Sequence, residues 1–245
     1  MKAPAIDTGE RRWALQPTLV LLCVPVIMAV LWYFGRSGFF RRELGTVLPE
    51  TMFTPLYPFL YLCVSSLLLR MILPICLVRF VLRKPLKDFG FVSARRPART
   101  WLPYLSLYLA LLPVIVIAGR FPAFRNCYPQ FGVSPDGTRL ELAVFLAGQV
   151  CYLLLFVSGE AFWRGFVLFG LRPHFGHYAI LIMTIPYTMQ HFGKPFPETM
   201  GAVLTGFVLG WLAMRRGDFW PGVALHYAAA LTMDLAAILW RGLSF

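Results

Sequence analysis

Long apolar runs, each closed off by arginine or lysine, leave this chain very few folds to choose from. Seven of them stand out, at residues 13–34, 53–82, 101–118, 140–171, 178–191, 200–214 and 219–240. A bilayer core about 30 Å thick is crossed by about 20 predominantly apolar residues of helix. Lipid offers no partner to a bare N–H or C=O, so a chain inside it must be helical or form a closed barrel. Runs of this length without strict alternation predict an all-α, polytopic transmembrane helical bundle of about seven or eight membrane helices. The composition agrees: 58% of the residues are hydrophobic and 14% charged, and mean hydropathy is +0.67. Those values exclude an ordinary soluble domain.

The net charge of +12 does not imply nucleic acid, because the basic residues sit between the apolar runs, where lipid headgroups and the positive-inside bias want them. Arg79, Arg83, Lys84, Lys87, Arg95, Arg96 and Arg99 crowd one connection, which is predicted to be cytoplasmic. Residues 1–12, with Lys2, Arg11 and Arg12, are then a cytoplasmic N-terminal tail, and residues 13–139 hold the first three spans and the basic loop. Trp13 and the pair Trp32-Tyr33 occupy interfacial positions. Residues 120–139 form an outer loop with Cys127 and Tyr128, and seven crossings put the C-terminal end outside. No cleavable signal peptide is expected. Cys23, Cys63, Cys76, Cys127 and Cys151 show no paired spacing and read as thiols packed like small hydrophobes. Arg70, next to Pro74 in the second run, reads as a helix-facing or snorkelling arginine. Gly206 and Gly210 give a small-xxx-small spacing suited to close helix contact.

The chemistry concentrates in Ser158-Gly159-Glu160-Ala161-Phe162-Trp163-Arg164-Gly165. Glu160 and Arg164 are four apart, acid first, and project from one helical face. Charge inside a membrane costs several kcal/mol unless partnered and usually faces a cavity or the bundle interior; a bare ion pair locking two helices is the bland alternative. His191 closes the fifth run and His226 lies within the seventh, so three segments each offer an ionisable group.

At these residues the sequence resembles the CPBP intramembrane proteases, a family that includes CAAX prenyl endopeptidases and bacteriocin-processing or immunity proteins. The resemblance rests on Gly159-Glu160-Ala161-Phe162-Trp163-Arg164 for the family's Glu-Glu-x-x-x-Arg, Tyr187 to His191 for Phe-x-x-x-His, and His226 to Ala230 for His-x-x-x-Asn. Gly206 to His226, with Gly210, Arg215-Arg216-Gly217 and Trp220-Pro221-Gly222, looks like the family's approach to its last histidine. The likeness covers about residues 140–235 and implies that 140–245 is a CPBP-like catalytic helical core. Two positions depart from the pattern: Gly159 replaces the first glutamate, and Ala230 the asparagine. A single glutamate followed by His-Phe-Gly-Lys-Pro-x-x-Glu is similar to a bacterial, myxosortase-like subgroup, with Glu198 and Asp234 as extra acids.

The resemblance implies an intramembrane glutamic-type endopeptidase, without cofactor or metal, acting on a membrane-anchored protein or peptide; C-terminal sorting-signal processing is one refinement. Glu160 and His191 would activate water, His226 would stabilise the oxyanion, Arg164 would orient Glu160, and Tyr187 is a secondary candidate. The expected location is a bacterial inner (plasma) membrane, with the lipid bilayer as partner, no nucleic acid, and an oligomeric state that the sequence leaves open. Two alternatives stand: a zinc hydrolase using His191, His226 and Glu160, or an inactive binding or immunity protein, for which Gly159 and Ala230 argue. Depth poses a condition. Residues 140–171 make a helix of 32 residues, about 48 Å long. Glu160 reaches His191 only if that segment is shifted toward its C-terminal end or broken, with Gly148 and Gly159 as weak points and Arg172-Pro173 as its end.

Overall fold

Every one of the apolar runs is helical in the computed structural model, which describes residues 14–93 and 97–244. The expected tail 1–12, Trp13, Arg95 and Arg96 lie outside the described residues. The elements are α1 (Leu15–Phe34), a short α2 (Ser37–Glu43), α3 (Thr54–Val81), α4 (Ala98–Ala118), α5 (Leu142–Phe175), α6 (Tyr178–Met189), α7 (Phe196–Arg216) and α8 (Trp220–Arg241). Among the described residues, six of these are long and apolar enough to cross a membrane, all but α2 and α6. The fold is therefore an all-α polytopic bundle. The fifth run differs from expectation: α6 has 12 residues, about 18 Å of helix against a core of about 30 Å. It is a partial span.

Two ends of the bundle can be told apart by their contacts. At one end Gln16 at the start of α1 donates through Nε2 to Gly170 O at 2.7 Å. There too Trp220 Nε1 donates to Phe91 O at 3.1 Å, and Ser93 Oγ to Asp218 at 3.2 Å, tying the basic connection to the α7–α8 turn. Arg216 pairs with the same Asp218 at 3.1 Å. At the other end Trp240 Nε1 donates to Val116 O at 2.9 Å, and Leu140 N to Ser244 O at 2.7 Å. The start of α1 thus shares an end with the basic connection, and the end of α8 lies opposite.

The helix that residues 140–171 were expected to make is continuous and runs on past Arg172-Pro173 to Phe175, 34 residues in all. Instead of breaking at Gly148 or Gly159, it widens to i→i+5 turns over Ala161–Phe169. Such widening is rare and gathers at functional sites. Every residue from Glu160 to Leu171 is buried. This stretch, apolar all round except for Glu160 and Arg164, is the axis on which α1, α3, α6 and Phe89 pack. α3 keeps its course past Pro74 with the same wide turns, at Leu68–Ile72 and Leu77–Val81.

The glycine pair in α7 does what its spacing suggests. A Cβ on Gly206 would lie 2.9 Å from Thr184 Cγ2, and one on Gly210 would lie 3.0 Å from Ile180 Cγ2. Both glycines let α7 lie against α6. The cysteines are free; Cys63 is buried, its Sγ donating to Cys151 O at 3.2 Å, and the others are half-buried.

Candidate functional site

The depth condition is met by lengths alone. Glu160 precedes the end of α5 by 15 residues, about 22 Å of helix. α6 then turns back for about 18 Å, and the turn that follows it carries His191 up to the level of Glu160. A full span there would have carried the histidine past it. Trp163 Nε1 donates to Gln190 Oε1 at 2.9 Å and fastens that turn to α5.

Glu160 Oε1 accepts from Arg164 Nη1 at 2.8 Å and from His226 Nδ1 at 2.6 Å. The carboxylate and the guanidinium are 2% and 0% exposed, so both charges depend on partners inside the protein. Arg164 also donates through Nη2 to Thr205 O at 3.2 Å, and its guanidinium lies 4.3 Å from the centre of the Tyr187 ring. Since a carboxylate only accepts, His226 carries its proton on Nδ1, and in the neutral ring Nε2 accepts from the Tyr187 hydroxyl at 3.0 Å. Phe156 stacks on His226 with ring centres 5.7 Å apart. Glu160, Arg164, Tyr187 and His226 thereby close a ring of contacts drawn from α5, α6 and α8.

His191 stands beside this ring rather than within it. Its Nδ1 donates to Tyr187 O at 3.0 Å, and its ring centre is 4.9 Å from that of Tyr187. Because a carbonyl oxygen only accepts, the Nε2 lone pair stays free in the neutral tautomer. Among the described residues no hydrogen bond joins His191 to Glu160. The direct carboxylate–imidazole contact is made by His226, because α8 packs along α5 while α6 reaches the site only with its last turn.

Two atoms of the ring are left over. Glu160 Oε2 and Arg164 Nε are buried and have no hydrogen-bond partner. Oε2 points at Gly222, where a Cβ would lie only 2.7 Å away. Gly222 therefore lets the carboxylate pack close against the α8 backbone, with Oε2 buried there.

A cavity of about 580 Å³ gives access to the site, lined by residues of every long helix, among them Glu160, Tyr187, His191 and His226. Its walls are mainly apolar, with Met28, Leu31, Leu62, Leu111, Val114 and Ile115 contributing. Helices from residues 13–139 thus build the chamber together with the core at 140–245. Glu198 lines it too and is held by Lys194 at 3.0 Å and by the Tyr128 hydroxyl at 2.9 Å. Burial, with Tyr152 and Glu198 nearby, pushes the Tyr128 phenol well above its usual range and keeps it a donor. Asp234 is elsewhere: it accepts from Gln149 Nε2 at 2.8 Å and from Gln130 N at 3.1 Å, and fixes the 120–141 connection to α8. Ala230 lines the cavity as an apolar wall. Among the described residues no three His, Cys, Asp or Glu side chains are grouped as a metal ion requires.

Sequence reasoning named Gly222 only within the approach to His226, and read Arg70 as helix-facing or snorkelling. Arg70 is helix-facing: it is 4% exposed, bonded to Leu155 O of α5, and lines the cavity. Its intramembrane charge was the signal that could have found it.

Fold and site together define a class: a polytopic helical membrane protein whose bundle encloses a carboxylate, an imidazole pair and a phenol in a shared chamber. A family model described as Type II CAAX prenyl endopeptidase Rce1-like matches residues 141–232. The segment that carries Glu160, Arg164, Tyr187, His191 and His226 is therefore similar to that CPBP-type protease domain, and the chain is an integral membrane protein. No curated protein and no solved structure matches it.

Proposed function

We propose that this protein is an intramembrane endopeptidase of glutamic type that hydrolyses a peptide bond of a membrane-anchored protein. The observation that carries the reading is the Glu160 carboxylate shared between Arg164 and His226, with His191 free beside it in one chamber. A water held between Glu160 and His191 at the chamber wall is the attacking group. His191 Nε2, with its lone pair free, and Glu160 share the proton as that water attacks the carbonyl carbon. With a proton on both ring nitrogens, His226 keeps Nδ1–H on Glu160 and turns Nε2–H, no longer accepting from Tyr187, to the oxyanion together with the Tyr187 hydroxyl, a contribution worth about 3 kcal/mol per donor. These two donors stand in for the amide that Ala230 lacks. The proton then passes to the leaving amine and the carbonyl re-forms. Arg164 keeps the carboxylate ionised and oriented.

The membrane is read as a bacterial inner membrane with the basic end in the cytoplasm. Prenylated CAAX tails are not expected in such a host, and a C-terminal sorting helix is the proposed substrate. Processing of candidate membrane proteins in cells carrying wild type, Glu160→Gln, His191→Ala or His226→Ala tests the reading. Loss of processing in all three at normal protein levels supports it; unchanged processing in all three assigns the chain to binding without cleavage.

A further inference from the structure

Tyr128 is remote from the catalytic motifs in sequence, in the connection between α4 and α5, yet it reaches the chamber wall. Its side chain is 3% exposed and packs with Phe124 of the same connection, Ile115 of α4, and Met233 and Ala237 of α8. Two residues on, Gln130 N donates to Asp234 Oδ1 at 3.1 Å, and Asp234 is itself held by Gln149 Nε2 of α5 at 2.8 Å. The phenol is thus seated on α4 and α8, with α5 behind Asp234, and a ring so enclosed has little freedom to move.

From that seat the hydroxyl crosses to the segment that follows α6. It donates to Glu198, 2.9 Å from Oε1 and 3.0 Å from Oε2, and accepts from Lys194 Nζ at 2.8 Å. A hydroxyl can give one bond and take another at once, and the raised phenol pKa keeps its proton in place. Phenylalanine can do neither.

The segment needs such a hold. α6 ends at Met189, two residues before His191, and Phe192 and Gly193 are exposed. Apart from bonds to α6 and α7, side-chain hydrogen bonds tie it to the bundle at two places among the described residues. Trp163 Nε1 donates to Gln190 Oε1 at 2.9 Å before the histidine, and Tyr128 grips Lys194 and Glu198 after it. What Tyr128 grips also holds His191. The His191 carbonyl accepts from Lys194 N at 3.1 Å and from Thr199 Oγ1 at 2.9 Å.

We infer that Tyr128 is a positioning residue that, through Glu198 and Lys194, fixes the height at which His191 faces Glu160. The inference rests on the proposed endopeptidase reading only for what His191 does there. Residues 140–245 carry the histidine, and a side chain from outside them sets its place.

Tyr128→Phe tests the link in purified protein, with helical content and melting measured. Trp240→Phe is the control, since it loses the bond from Nε1 to Val116 O at the same end of the bundle without touching the chamber. Amide hydrogen exchange over 190–195 is expected to rise about tenfold in Tyr128→Phe, the scale of one charge-assisted hydrogen bond lost, and to stay at the wild-type rate in the control. Carbethoxylation of His191 by diethyl pyrocarbonate, read by peptide mass, should change in the same variant only. For a membrane protein whose processing is lost in Glu160→Gln, kcat is expected to fall about tenfold in Tyr128→Phe with KM within about twofold, the split that a misplaced imidazole produces. Exchange and acylation that match wild type, or that change equally in Trp240→Phe, overturn the positioning role, as does a KM rise at unchanged kcat. Failure of the proteolytic reading appears separately, as processing that Glu160→Gln leaves intact, and exchange and acylation then decide the link.

Discussion

A single oxygen, Glu160 Oε1, holds the site together, since it takes hydrogen bonds from both Arg164 and His226. Glu160→Gln preserves shape and removes charge, leaving the guanidinium buried without its counter-ion, a loss of about 3–5 kcal/mol where such pairs are broken in soluble proteins. Melting in detergent should therefore fall along with activity, and the two effects must be parted. Gly222→Ala parts them. The added Cβ, 2.7 Å from Oε2, presses on that oxygen but leaves both charge pairs on Oε1 available. Cleavage is expected to drop by about 10²-fold or more, the scale of a lost proton-transfer contribution, while the melting temperature moves little. A fully active Gly222→Ala protein would remove Oε2 from the mechanism. His191→Gln is expected to lower turnover more than substrate affinity, because the ring acts on water and its Nδ1 contact is with backbone only. A KM rise at unchanged kcat would place His191 in binding instead.

Among the helices, α6 is the one on which convergence depends, and its position is set by two missing side chains on α7. Gly206→Val would press against Thr184 and Tyr187, both within about the range at which something must shift. Tyr187 is then driven from His226 and the last turn of α6 from the chamber. Overpacking of this kind costs about 1–3 kcal/mol, and activity should fall by more than the melting shift accounts for. Val203→Leu, on a lipid-exposed face of the same helix, serves as the control and should leave activity unchanged. How much of this was legible in the sequence follows from the kind of information each feature needs. The spans, the glycine contact and the three ionisable positions are local patterns, and local patterns can be read. The depth of Glu160 depends on where α5 ends relative to where α6 stops, a difference between two lengths. The partnering of Glu160 with His226 rather than His191 depends on which helix lies alongside α5. Arg70 and Gly159 meet from opposite halves of the chain, and nothing in either neighbourhood announces the other.

At the scale of the whole molecule the contacts fix which connections share an end, and the positive-inside bias is the ground for proposing that the basic end faces the cytoplasm. The basic connection, the start of α1 and the α7–α8 turn lie together, and Lys87, Arg172 and Gly217 line one small surface pocket there. Because α6 leaves the basic end and α7 returns to it, the pair adds no net crossing, and the start of α1 and the end of α8 lie at opposite ends of the bundle. The same half-span is what holds His191 at the level of Glu160, so topology and chemistry stand on one feature. Single cysteines at Lys87 and Asp136, placed in a chain whose five native cysteines are replaced by alanine, report it directly. Both positions are exposed. In intact cells a membrane-impermeant maleimide should label Asp136→Cys at once and Lys87→Cys only after the membrane is opened. A third cysteine at Lys194, in the turn after α6, should react slowly from the Asp136 side only, through the chamber, and should be protected by a ligand bound there. Rapid labelling of Lys194→Cys at the rate of Asp136→Cys would make α6 a full span, lift His191 out of reach of Glu160, and dissolve the site along with the topology.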